Sequence, residues 1–67
     1  MAVVKTDAMR NAARKGADHV REVKQGERCL MLNERTDDAG IKRVKIMCMD
    51  GVRGWVRDAV VKQEEWS

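Results

Sequence analysis

Apolar and polar positions alternate most clearly between Ile41 and Met49. Val44, Ile46 and Cys48 fall on one face of an extended chain, and Lys45, Met47 and Met49 fall on the other. This pattern predicts a strand with one face turned into a core. Asp50-Gly51 follows, and Asp-Gly between two strand-like runs is a strong hairpin signal. Val52 to Val56 is then the returning strand. Upstream, Glu27-Arg28-Cys29-Leu30-Met31-Leu32-Asn33 is a short apolar run that begins just after Gly26 and reads as a further strand. The stretch from Asn33 to Gly40 carries Asn, Asp-Asp and Gly, a loop signature. Arg57-Asp58 makes a brief turn before a last short strand at Val60-Val61-Lys62. Gln63 to Ser67, with Trp66, reads as a frayed or partner-facing tail.

The first third of the chain supports two readings. Thr6 to Val23 fits a helix, with Thr6 as N-cap and Ala8, Met9, Ala12, Ala13, Ala17 and Val20 close to helical spacing. Gly16 weighs against it, at a cost of up to about 1 kcal/mol. The alternative is a first strand at Ala2 to Lys5, followed by a long irregular loop carrying Arg14 to Asp18. Propensity alone prefers the helix, and both readings stay open.

A chain of 67 residues makes at most one domain, expected to be mainly β. A domain near this size buries only about 60% of the surface its unfolded chain exposes, which leaves little material for the walls of a deep substrate cavity. There is no Phe and no Tyr, so the five Met residues must do part of the filling. Cys29 and Cys48 both lie in apolar runs. If the strand from Glu27 pairs antiparallel with the strand from Ile41, the two cysteines come near neighbouring ladder positions. Reach alone does not make a disulfide. No apolar stretch approaches the ~18 residues of a membrane span. Ala2-Val3-Val4 is too short for the apolar part of a signal peptide. The expected compartment is therefore cytoplasmic, where two buried free thiols are expected.

Gly51-Val52-Arg53-Gly54-Trp55-Val56 carries a family resemblance. Preceded by Val44-Lys45-Ile46 and Asp50, and followed by Val60-Val61, it resembles the closing strands of SH3-like and bacterial SH3 domains. Lys24-Gln25-Gly26-Glu27 is similar to the segment that opens the second strand of such barrels. Ala13 to Ala17 is a fainter match to the bacterial type. The resemblance implies a small SH3-like barrel over residues 1–67, with Cys29 and Met31 at inward positions. Trp55 alternates away from Val56 and is expected half exposed on the surface. Proline-rich ligands dock between exposed aromatic rings. This chain has no Tyr, and Val60 stands where SH3 domains commonly carry a groove Tyr, so polyproline recognition is not expected.

Nothing in the sequence assembles a reaction centre, and no catalytic residue is assigned. His19 is the only histidine, and a Cys nucleophile needs a base in contact with it. Asp37-Asp38 and Glu64-Glu65 are sequence neighbours, which do not converge on a bond. Two distant cysteines and one histidine fall short of a structural zinc set. No metal and no cofactor is expected. Two functional readings remain. One is a non-catalytic protein-interaction or targeting module of a larger protein, with Trp55, Met47, Met49, Asp37 and Asp38 as its partner-binding surface. The other is a small nucleic-acid-binding barrel using Lys42, Arg43, Lys45, Arg53 and Arg57. The net charge of only +3, with both signs interspersed, favours the first. No membrane partner is expected.

Overall fold

A computed structural model describes residues 1–14 and 16–62. The tail expected at residues 63–67 lies outside the described residues. Seven strands follow in order: β1 (Ala2–Val3), β2 (Asp7–Arg10), β3 (His19–Val23), β4 (Cys29–Thr36), β5 (Lys42–Cys48), β6 (Arg53–Arg57) and β7 (Val61–Lys62). A 3-10 turn, Asp58–Val60, separates the last two. The strands form an antiparallel five-stranded sheet, in the order β3-β2-β6-β5-β4, and a two-stranded ribbon of β1 and β7. The sheet is open. Among the described residues β3 and β4 form its edges, and no strand pairing joins them.

The helix expected over residues 6–23 does not form. That segment folds as β2, a loop and β3, with β2 paired to β3 on one side and to β6 on the other. The physical reason is area. The helical pattern rested largely on alanines, which bury little, whereas Met9 and Val23 are fully buried in the sheet arrangement. Val20, part of the helical stripe, is exposed. The alternative reading caught a strand at the N-terminus, β1, but treated as loop a stretch that contains two more strands.

The core forms where the alternation predicted it. Val44, Ile46 and Cys48 of β5 join Val56 of β6, Met9 of β2, Val23 of β3, Cys29 of β4, and Val3, Val60 and Val61 from the ribbon and its approach. The β5–β6 connection is the three-residue turn Met49-Asp50-Gly51. Gly51 N–H donates to the Cys48 carbonyl (2.9 Å), Cys48 N–H donates to the Val52 carbonyl (3.1 Å), and Gly51 adopts φ +82°, the left-handed conformation such turns require. Asp50 Oδ1 accepts from Val52 N–H at 3.0 Å and braces the turn.

Met31 departs from the inward position implied for it. It lies opposite Ile46, but β4 bulges between Met31 and Asn33 and runs on past the core, so Met31 is exposed while Cys29 is buried. Cys29 and Cys48 also depart from expectation. They sit directly opposite one another, with Cα atoms 4.1 Å apart, and are joined as a disulfide. The reason lies in the register. Cys29 exchanges both of its backbone hydrogen bonds with Met1, so its N–H and C=O point away from β5. The Cys29–Cys48 pair is therefore of the close, non-hydrogen-bonded type, and both side chains leave the same face.

Gly54 marks where β2 crosses β6. A Cβ there would collide with the Met9 side chain and lie 2.9 Å from the Arg10 carbonyl oxygen. Gly54→Ala is expected to lower stability by about 1–3 kcal/mol through this overpacking. The urea midpoint of the variant against the parent chain measures it.

Candidate interaction surface

Cross-strand partners share a face, so the register fixes the outer surface of the sheet. Opposite the core it carries Arg43, Lys45 and Met47 of β5, aligned with Arg57, Trp55 and Arg53 of β6. Arg35 and Asn33 of β4 flank one side, and Arg10 of β2 lies opposite Trp55 on the other. Trp55 points away from the core, as its alternation with Val56 predicted, yet it is only 8% exposed. This corrects the expectation of a half-exposed ring. Arg10 and Lys45 flank it. Arg10 Nη1 donates to the Ala17 carbonyl at 2.9 Å, and Asn11 N–H donates to the Asp18 carbonyl at 2.9 Å. Ala17 is buried with Trp55, outside the main core cluster.

Ion pairs occupy much of the basic set. Arg43 is buried and donates from Nε to Asp37 Oδ2 at 2.7 Å. The Asp37 carboxylate also accepts the N–H groups of Ala39 and Ile41, each at 2.9 Å. The Arg43 hydrogen bond, then that from Ile41, holds the Asp37 carboxyl below its ordinary pKa. Asp37 therefore staples the β4–β5 loop. Arg57 Nε bonds Asp7 at 3.1 Å. Lys42 alternates onto the opposite face from Arg43 and pairs with Glu34 at 3.4 Å. Among the described residues only Lys45 and Arg53 of the five make no ion pair. Asp38 is exposed at the loop tip. That tip stands at the far end of the β4–β5 hairpin from Met47 and Met49, roughly 20 Å away at ~3.4 Å per residue. The expected partner-binding residues therefore do not converge. Trp55 lies diagonal to Met47 on the outer face but is buried, and only Met47 and Met49 come together at an opening.

They do so in an apolar cavity of about 380 Å3. Its walls are Met1, Arg28, Cys29, Leu30, Met47, Cys48, Met49 and Gly51. It lies where the hairpin of β4 and β5 meets the N-terminal residue and the β5–β6 turn. Leu30 is 62% exposed and Met49 92% exposed, so soft apolar side chains border the opening. Leu30, Arg28 and Met1 were missed from sequence. The signal for Leu30 was present, because consecutive apolar residues on a strand cannot all face one core. Nothing in the sequence placed Met1 beside Cys29.

Glu27, Cys29 and Cys48 bring potential ligand atoms within 4.8 Å of one another. The two sulfurs are bonded to each other. Both Glu27 oxygens accept from Arg21, at 3.2 and 2.7 Å, and Lys24 N–H adds a third bond at 2.9 Å. The three groups fit a structural frame better than a metal centre. Arg21 Nε also stands 3.3 Å from Asp50 Oδ2, an ion pair without a hydrogen bond. Arg21 thus ties the edge strand β3 to the approach to β4 and to the β5–β6 turn, where no strand pairing closes the sheet.

The Arg21 hydrogen bond, then that from Lys24, lowers the Glu27 pKa to about 2. Folded Glu27 keeps its charge down to that pH, whereas in the unfolded chain it takes up a proton near 4.5. Its stabilisation is complete above pH 4.5 and is lost as pH falls through about 2. Solvent screening limits the contribution to about 1 kcal/mol. Urea titrations at pH 7, 4 and 2.5 are expected to show Arg21→Ala less stable than the parent at pH 7, with the gap narrowing as the pH falls.

No family model, no curated protein and no solved structure matches the chain. Among the described residues no helix is long and apolar enough to cross a membrane.

Proposed function

We propose that the chain is a non-catalytic, SH3-like protein-interaction module, acting in the cytoplasm as part of a larger protein. Its contact surface is the apolar cavity bounded by Leu30, Met47 and Met49. The single observation that carries this reading is that cavity, open to solvent and rimmed by flexible, exposed apolar side chains, a chemistry suited to gripping a partner's side chain. The SH3-like part draws support from the Asp50-Gly51 turn, the Gly54-Trp55-Val56 strand and the short closing strand β7. Trp55 and Asp37 have structural partners of their own, so the proposed surface shifts from them towards Leu30 and the Met residues.

The nucleic-acid reading has less support. Sequence-tolerant binding to single strands combines a basic groove with exposed aromatic platforms. Here Trp55 is buried, and Arg43, Arg57 and Lys42 are already paired with carboxylates.

Selection from a random displayed-peptide library tests the proposal. Enriched peptides are expected to share an aliphatic or aromatic anchor and to bind at least tenfold more weakly to Leu30→Asp and Met47→Asp. Peptides that bind both variants as well as the parent, or polyanions that bind instead with a steep salt dependence, contradict it.

A further inference from the structure

We infer that the segment this cavity accepts is an acidic peptide: an apolar anchor enters beside Leu30, Met47 and Met49, and a carboxylate two positions away in the partner meets Lys45 and Arg53. This rests on the interaction reading above, because the anchor uses the same cavity.

Placement is the first argument. Leu30, Met47 and Arg53 stand side by side on three neighbouring strands, joined by the register pairs Leu30↔Met47 and Met47↔Arg53. Cross-strand partners share a face, so all three leave the outer face of the sheet. Lys45 leaves the same face two residues along β5, ~7 Å from Met47 at about 3.4 Å per residue. Met47 is a wall of the cavity. It therefore has an apolar neighbour on one adjacent strand, a cation on the other, and a second cation along its own strand. Arg53 is exposed and Lys45 partly so.

Charge is the second argument. Among the described residues neither Lys45 nor Arg53 makes an ion pair. The acids at this end of the hairpin are already held. Glu27 accepts two hydrogen bonds from Arg21. Asp50 stands 3.3 Å from Arg21 Nε and accepts the Val52 N–H at 3.0 Å. The surface beside the cavity thus carries positive charge with no carboxylate paired to it, and a partner carboxylate complements it. Spacing is the third argument. In an extended partner, side chains two positions apart share a side and lie about 7 Å apart, the same interval as Met47 to Lys45. A nucleic-acid strand fits less well. Single strands stack their bases on exposed aromatic rings, and Trp55, opposite Lys45, is buried. The cavity walls offer thioether and aliphatic surface, which suits an apolar side chain.

The test titrates the full chain with three peptides of equal length. Each has a central tryptophan, flanked on both sides by two glutamates, two glutamines or two lysines. NMR shifts of the Met47 and Met49 methyl groups report the affinity. At low salt the glutamate peptide is expected to bind at least about tenfold more tightly than the glutamine peptide, and the lysine peptide more weakly than either. The gap is expected to narrow as salt is raised. Lys45→Gln and Arg53→Gln, checked for native amide spectra, are each expected to narrow it several-fold while the affinity for the glutamine peptide holds. Arg53→Glu is expected to shift the preference from the glutamate towards the lysine peptide. Glutamate and glutamine peptides that bind equally overturn the inference and leave the interaction reading standing. No methyl shift with any of the three overturns both. A glutamate peptide with serine in place of tryptophan that binds as well as its parent, or a single-stranded oligonucleotide that binds more tightly than the glutamate peptide, also overturns the inference.

Discussion

The register of β4, β5 and β6 is the constraint on which the rest of the structure depends. Side chains alternate with a period of two, so a slip of one residue would turn Val44 and Ile46 to solvent and drive Arg43 and Lys45 into the core. Several local features hold the register from different directions. The Gly51 turn sets the offset of β5 against β6, and the Asp37 carboxylate gathers the β4–β5 loop around Arg43. Gly54 leaves the space that the Met9 side chain and the Arg10 carbonyl of β2 occupy. The Cys29–Cys48 bridge fixes the end of the hairpin opposite that loop.

The same register distributes the surface chemistry. It brings Trp55 between Arg10 and Lys45, where the ring serves packing. It spends Arg43 and Arg57 on Asp37 and Asp7. At the end of the hairpin it leaves Leu30 opposite Met47, next to the disulfide and Met1. The proposed interaction surface there needs no dedicated element, because it follows from an apolar strand that begins at the core and continues past it. The Arg21–Glu27–Asp50 cluster adds a polar tie between the two edges of an open sheet.

Much of the β architecture was legible because its signals were local. Alternation at Val44, Ile46 and Cys48, and the Asp50-Gly51 turn, each depend on a few adjacent residues. β2 and β3 were not legible, because they are held by pairing with each other and with β6, more than forty residues away, while the alanines of residues 8–17 locally favour a helix. Trp55 was placed on the correct face but with the wrong exposure, since it is buried where Arg10, opposite it, reaches the Ala17 carbonyl, a contact that no motif announces. The cysteines were brought near one another by hairpin geometry, and compartment reasoning then argued against the bond. Their pairing is of the close, non-hydrogen-bonded type, with the backbone groups of Cys29 taken by Met1 from a distant point in the chain.

The most direct measurement of this account is the pattern of α-proton cross-peaks in a two-dimensional NOE spectrum of the oxidised chain. Non-hydrogen-bonded antiparallel pairs bring their α-carbons closest. The account predicts cross-peaks between Cys29 and Cys48 and between Met31 and Ile46. Cross-peaks linking Cys29 to Met47 or to Met49 instead would show a slipped register and contradict it.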